Sequence, residues 1–318
     1  MKLFRSKIGI LSLLTLVLAL VYSCHMTPQK FTDETPTRGN IKIAVDESYQ
    51  LLTDAELYTF QSTYKDAKVT PLYLPEDSLV KLFLGDSVKV IITSRKLTDN
   101  EEAYLKGKSF VPRTTKIAYD ALAFIVNKSN PELKIRYNTL KDVFTGKISQ
   151  WKQINMASKL SDIKVVFDNP GSNNVKTIMN KFGITGSLPN YCFSASQNSE
   201  VVKYVEQHPE ALGIIGVNWI SDPRDSVSHS FLSKINVVSV TSEYDPDGAD
   251  FYSPHPAYIA NKQYPFIREV YTINRETFAG LGTGFTSFIA GDSGQRIILK
   301  MGMLPATLPV RLVEIKKN

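Results

Sequence analysis

Three serine hydroxyls stand where a strand hands over to a helix: Ser48 after the apolar run 41–45, Ser94 after 88–92 and Ser172 after 163–167. Each has companions able to hold a small anion: Tyr49 behind Ser48, Arg95 behind Ser94, Asn173 and Asn174 behind Ser172. The segment 168–174, DNPGSNN, is the most suggestive of the three. Its Pro170-Gly171 forces a tight turn, and the next residues open a helix whose first amides have no internal partner. Free amides at a helix start favour an oxyanion. Ser172 can donate its hydroxyl to such a ligand or cap its own helix.

Acids crowd the same loops: Glu47 beside Ser48, Glu76 and Asp77 ahead of Ser78, and Asp168 ahead of Ser172. One carboxylate beside an oxyanion is useful, because it accepts a hydrogen bond from a protonated oxygen and rejects an ion with no proton to give. Two like charges about 4 Å apart cost about 4 kcal/mol at an effective dielectric of about 20, so all four cannot point at a bound dianion. Glu76 and Asp77 sit at a helix start, where acids offset the dipole without any ligand. Arg95 has its own alternative as a surface partner of Asp99 or Glu102. Asp120 lies in an otherwise apolar strand and must find a donor or reach a ligand.

The elements that position these residues follow from hydrophobic spacing. Strands are expected at 41–45, 68–74, 88–92, 121–126, 163–167 and 211–217. Helices are expected at 54–64, with Leu57, Phe60 and Tyr64 on one face, at 78–84, and after Thr98, where Glu101 completes a capping box. Two more follow: one with Val175, Ile178, Met179 and Phe182 at helical spacing, and one at 198–207. Strands alternating with helices predict an α/β fold with a parallel-rich sheet, whose ligands sit in the crevice beyond the strand ends. Segments 221–231 and 242–254 read as loops, and the run Gly280 to Gly284 as a flexible lead into a helix near Phe285.

Motif order sharpens this reading. Ile117, Ala118, Asp120, Ala121, Ala123, Ile125, Val126 and Asn127 precede Leu140, Phe144, Gly146, Ile148, Trp151 and Ile154. Later come ALGIIGV at 211–217, YPFIR at 264–268, and Gly294-Gln295 followed by Gly302 and Pro305. This series resembles the phosphate-binding subunits of phosphate ABC transporters, within the type II periplasmic substrate-binding proteins. The resemblance implies two α/β lobes joined by two crossing strands, near 117–126 and 244–260, with the ligand between them. It divides the chain into a first lobe (41–119 and 246–318) and a second (120–245). It also implies a monomer that performs no chemistry, needs no cofactor or metal, closes on phosphate or a related oxyanion by bending at the crossings, and docks onto permease subunits. Carried over residue by residue, it places Ser48, Tyr49, Ser94, Arg95, Ser172, Asn173 and Asn174 at the ligand, with Glu47, Ser78, Asp120 and Asp168 as further candidates. The family's usual Arg ahead of its SGT turn is Asp168 here, its Gly-Thr is Asn173-Asn174, and its glycine-rich loop after the second strand is replaced by Pro75-Glu76-Asp77-Ser78. Several donors have become acceptors, which keeps open a second role: a lipid-anchored sensor or accessory protein on the same scaffold with altered or lost phosphate binding.

Length and composition fit two lobes, since 318 residues at 43% hydrophobic content can bury two cores. Lys2, Arg5 and Lys7 precede an apolar stretch at 8–22 that ends at Ser23-Cys24, a signal that takes the chain out of the cytoplasm. Residues 1–24 resemble a lipoprotein signal whose Cys24 would carry the lipid on the periplasmic side of a bacterial membrane, with 25–40 as a Thr- and Pro-rich tether. Cys192 is then the one remaining cysteine, expected to be a buried apolar residue, and no internal disulfide can form. Losing the three signal cations lowers the formal net charge from +6 to +3. The remaining cations are scattered among acids, so nucleic acid is not expected as a partner. A secreted hydrolase has little support: His25, His208, His229 and His255 show no zinc-binding spacing, and no GxSxG elbow is present.

Overall fold

The computed structural model describes residues 34–220 and 232–307. Cys24, the expected signal, most of the expected tether and the 221–231 loop lie outside the described residues. The chain begins with β1 (Gly39–Asp46), α1 (Gln50–Thr63), β2 (Ala67–Leu74), α2 (Glu76–Leu84), β3 (Val90–Thr93) and α3 (Asp99–Gly107). Next is a long strand, β4 (Arg113–Asn127). Beyond it come β5 (Lys134–Ile135), α4 (Tyr137–Phe144), α5 (Trp151–Ile154), β6 (Lys164–Phe167), α6 (Asn173–Phe182), β7 (Cys192–Ser194), α7 (Asn198–Gln207) and β8 (Ala211–Gly216). The short elements β9 (Ile235–Val237), β10 (Ser239–Thr241), β11 (Phe251–Tyr252) and α8 (Pro256–Ala260) follow. The described chain closes with β12 (Ile267–Asn274), α9 (Leu281–Ala290), α10 (Asp292–Lys300) and β13 (Leu304–Pro305).

One sheet path, β2-β1-β3-β12-β4-β8-β6-β7, runs through both lobes. β1 lies parallel to β2 and β3, and β6 lies parallel to β7 and β8, as strand–helix alternation predicts. The middle is antiparallel: β12 pairs with β3 and with β4 from Arg113 to Ala121, and β4 then pairs with β8 from Leu122 to Val126. Successive halves of one strand therefore belong to different lobes. That explains its length and its unbroken burial from Asp120 to Asn127, since both faces are covered.

Each lobe has its own core. In the first, Phe60 on α1 meets Phe285 and Phe288 on α9 edge-on, with ring centres 5.3 Å apart in both pairs. In the second, Phe124, Phe144, Phe167, Phe182 and Phe266 pack around β4 and β6, with the Phe124 and Phe266 rings 4.8 Å apart. Ile259, Tyr264 and Phe266 belong to this second core, and Leu122 N donates to Phe266 O at 2.9 Å. Ile259, at the end of the 244–260 stretch suggested by motif order, and Tyr264 and Phe266 beyond it thus pack with the aromatic core of the second lobe. The capping box at Thr98 and Glu101 has both of its hydrogen bonds. Cys192 is half-buried rather than fully enclosed, and burial pushes its thiol up to about 12.

The glycine run does not act as a flexible lead. Gly282 and Gly284 lie inside α9, and a Cβ on Gly284 would stand 1.7 Å from Pro36 O. The missing side chain is what lets the 35–38 turn press against the helix. Gly284→Ala is expected to cost about 1–3 kcal/mol by overpacking, read from urea unfolding, whereas Gly107→Ala, whose Cβ meets nothing within 4 Å, leaves stability unchanged or slightly raised.

Glu56 on α1 is 1% exposed, and neither carboxylate oxygen has a hydrogen-bond partner among the described residues. Burial pushes its pKa up to about 9 from 4.5. The unfolded chain ionises first, so the stability this acid contributes is complete below its unfolded pKa and is lost as pH rises toward about 9. Between pH values of about 5 and 8, wild-type protein is expected to lose stability relative to Glu56→Gln in denaturant titrations; parallel curves would contradict the assignment.

Candidate functional site

The strand ends of the two lobes face each other across β4 and β12, and one cation sits between them. Arg268 on β12 is 6% exposed, and its position is fixed by the strand pairing Arg268↔Asp120. Its Nε donates to Asp120 Oδ2 at 2.8 Å, Nη2 lies 2.7 Å from the same oxygen, and Nη1 donates to Asn174 Oδ1 at 2.7 Å. The guanidinium also stands over the Tyr49 ring, 5.4 Å from its centre, a cation–π contact. Gly216 at the end of β8 leaves the space for this arrangement: a Cβ there would lie 3.0 Å from Asn218 Nδ2 and 3.2 Å from Arg268 Nη2.

The first-lobe loop wraps this centre. Asp46 ends β1, and its Oδ1 accepts from Ser48 N at 2.9 Å, which tightens the 3-10 turn Glu47–Tyr49 and buries Ser48 and Tyr49 completely. Ser48 O accepts from Asn218 Nδ2 and Trp219 Nε1 of the second lobe, both at 3.0 Å. Its hydroxyl lies beside the Asp46 carboxylate. Ser94, at the end of β3, faces the Tyr49 hydroxyl.

From the second lobe come Asp168 at the end of β6, Asn174 in the first turn of α6 and Asn198 opening α7. Asn198 Nδ2 donates to Asp168 Oδ2 at 3.4 Å, and Asn198 N donates to Glu47 Oε1 across the cleft at 3.3 Å. Polar atoms without a hydrogen-bond partner among the described residues cluster here: Asp46 Oδ2, Ser48 Oγ, Tyr49 Oη, Ser94 Oγ, Asp120 Oδ1, Asp168 Oδ1, Asn169 Oδ1 and Asn218 Oδ1. Buried polar groups are ordinarily satisfied, because an unmet one costs about 1–3 kcal/mol. A cluster of this size marks a place built to hold a polar solute.

The charges are unequal. Burial pushes Asp46 up to about 6, with Arg268 and the Ser48 amide opposing it and Asp168 adding to the rise. Burial and then the charge of Asp168 push Glu47 up to about 7. Asp168 is raised by burial against hydrogen bonds from Ser172 and Asn169, and Asp120 is raised by burial against the pull of Arg268. One guanidinium thus faces several acids.

Of the residues expected from sequence, Ser48, Tyr49, Ser94, Asn174, Asp120, Asp168 and Glu47 come together around Arg268. Others do not face it. Arg95 is held by Glu101, at 2.7 and 2.9 Å, and by Glu76 Oε1 at 3.1 Å, so its acidic partners are neither Asp99 nor Glu102. Ser78 is exposed within α2, which starts two residues earlier than expected. Ser172 caps α6, its Oγ accepting from Val175 N at 3.3 Å. Asn173 donates to Glu76 Oε2 across the rim, where Lys176 also meets Glu76 at 3.3 Å and Asp77 at 2.7 Å. Glu76 and Asp77, in the first turn of α2, therefore clasp the second lobe. Asp46 was assigned no ligand role from sequence, and Arg268, Asn198 and Asn218 were not singled out. The pairing of a lone strand acid, Asp120, with the one cation of YPFIR was the available signal.

Two α/β lobes that share β4 and β12 around a polar cleft define a type II periplasmic binding protein. The PBP superfamily domain profile matches residues 32–293, and the chain belongs to that family. Among curated relatives, it is 24% identical over 242 residues to a phosphate-binding protein PstS of Staphylococcus epidermidis, covering 73% of this chain and 68% of that one. It is 27% identical over 229 residues to the phosphate-binding protein PstS of Borreliella burgdorferi, covering 68% and 72%. Among solved structures, it resembles a substrate-binding protein with bound phosphate from Clostridium perfringens, at TM-score 0.70 and 22% identity, covering 85% of this chain and 100% of that one. An ABC-type phosphate transport receptor from Vibrio cholerae gives TM-score 0.61 at 20% identity, covering 83% and 99%.

Arg268→Met would leave Asp120 buried without its counter-ion and is expected to cost about 3–5 kcal/mol in urea unfolding, most of which Asp120→Leu in the same chain restores. A single-variant cost below about 1 kcal/mol would remove the pair from its central place.

Proposed function

We propose that this protein is an extracytoplasmic solute-binding protein that captures phosphate for an ABC importer by closing its two lobes on the ion. The observation that carries this reading is the meeting of three buried hydroxyls, on Ser48, Tyr49 and Ser94, with the Arg268 guanidinium and with carboxylate oxygens of Asp46 and Asp168 that have no hydrogen-bond partner among the described residues. Hydroxyls and the guanidinium suit anionic oxygens; carboxylate oxygens suit a protonated one. Phosphate offers both at neutral pH, whereas sulfate has no proton to give. The family and the named relatives support the same choice.

No covalent chemistry is assigned to the cleft. His208 stacks on Tyr204, with ring centres 3.9 Å apart, and His255 Nδ1 accepts from Ala257 N, so both serve local structure. Among the described residues, no group of three His, Cys, Asp or Glu side chains converges to hold a metal ion. We read the chain as exported, lipid-anchored through Cys24, monomeric and docked onto permease subunits in its closed form. None of its described helices is long and apolar enough to cross a membrane. The rim clasp of Glu76 and Asp77 on Asn173 and Lys176 favours a second reading, a lipid-anchored sensor or accessory protein whose closure no longer depends on phosphate.

Titration calorimetry on mature, ligand-stripped protein is expected to show one phosphate bound per chain at micromolar concentration or tighter, with no heat from sulfate. Ser48→Ala is expected to weaken binding about tenfold or more, the worth of a hydrogen bond to a charged group. Silence with phosphate would reject the first reading in favour of the second.

A further inference from the structure

The cleft holds more acids than a dianion tolerates. Three carboxylates at most 2% exposed, Asp46, Asp120 and Asp168, face one guanidinium, and a fourth, Glu47, stands at the edge. Each of the three buried acids has one oxygen without a hydrogen-bond partner among the described residues. A serine or tyrosine hydroxyl can turn to donate or accept, but an ionised carboxylate can only accept. Beside the Arg268 guanidinium and the first amides of α6, the donors at hand are three hydroxyl protons, from Ser48, Tyr49 and Ser94, which these oxygens and the ligand share. A dianionic phosphate brings one proton of its own; a monoanion brings two.

Resting on the phosphate reading above, we propose that capture is proton-coupled. The closed complex holds phosphate together with at least two exchangeable protons, shared between the ligand oxygens and the carboxylates of Asp46 and Asp168. In acid solution the monoanion brings both protons with it. In alkaline solution the dianion brings one, and the second is drawn from solvent onto the ligand or onto one of these acids. The remaining charged groups leave the balance unchanged: Asp120 is tied to Arg268 through Oδ2, Arg95 is tied to Glu101 and Glu76, and Lys176 is tied to Glu76 and Asp77 at the rim. Glu47 accepts from Asn198 N and adds a further acid. Burial raises Asp46 to about 6 and Glu47 to about 7, which puts proton uptake by these acids within reach of neutral solution.

The test is phosphate titration of the ligand-stripped mature protein from about pH 6 to about pH 8, in pairs of buffers with different ionisation enthalpies. Phosphate affinity is expected to fall at least about fivefold across that range, and at the alkaline end the observed heat should depend on the buffer in the sense of proton uptake. Asp46→Asn and Asp168→Asn should each flatten the profile, which loss of packing alone would not do. A change below about fivefold, or heat independent of the buffer at alkaline pH, overturns proton coupling while leaving phosphate capture intact. No phosphate heat at any pH removes the parent reading, and this one with it.

Discussion

The structure depends on an ion pair buried where the two lobes share strands. Asp120 and Arg268 are register partners on β4 and β12, so the sheet itself brings them together before any loop contributes. Removing two charges from water is costly and is repaid when geometry and further hydrogen bonds are good. Here Arg268 meets Asp120 through Nε, Asn174 through Nη1 and the Tyr49 face through its π surface. One side chain thereby gathers β4, α6 and the turn after β1. The cleft cation is carried by a strand that joins the lobes, whereas the loops after β1 and β6 bring acids.

That placement supplies a cation where the end of β6 offers an acid, Asp168. With Asp168 at that position, the cation arrives from behind, on β12, and the second lobe contributes acceptors and amides instead. The loop after β1 answers with its own acid. Asp46 is spent partly on its turn, through Ser48 N, and partly on the cleft, through its second oxygen. The site is consequently shaped by acceptors in search of protons.

The alternation of strands and helices was legible because each buried strand is a short apolar run and each helix shows one apolar face; α7 at Asn198–Gln207 matches its expected span. The cleft loops were legible as well, since ligands of open sheets gather at strand ends. Arg95 was misplaced because Glu101 was credited to the capping box alone, whereas the carboxylate that accepts from Thr98 N also reaches Arg95. Arg268 was passed over because it follows a strand start rather than a strand end, and its meaning lies in register, which one sequence does not display. Gly282 and Gly284 read as loose chain because their neighbours, Val90 and Pro36, are nearly 200 residues or more away in sequence.

Glu76 is 2% exposed where it reaches across the rim, yet it is never answerable to the far lobe alone. Arg95, anchored to Glu101 on the same lobe, touches it as well. A parting of the lobes would carry Asn173 and Lys176 away with α6 and leave this resident counter-charge at its side. Undoing the fastening would therefore leave Glu76 beside a cation of its own lobe rather than as a naked carboxylate.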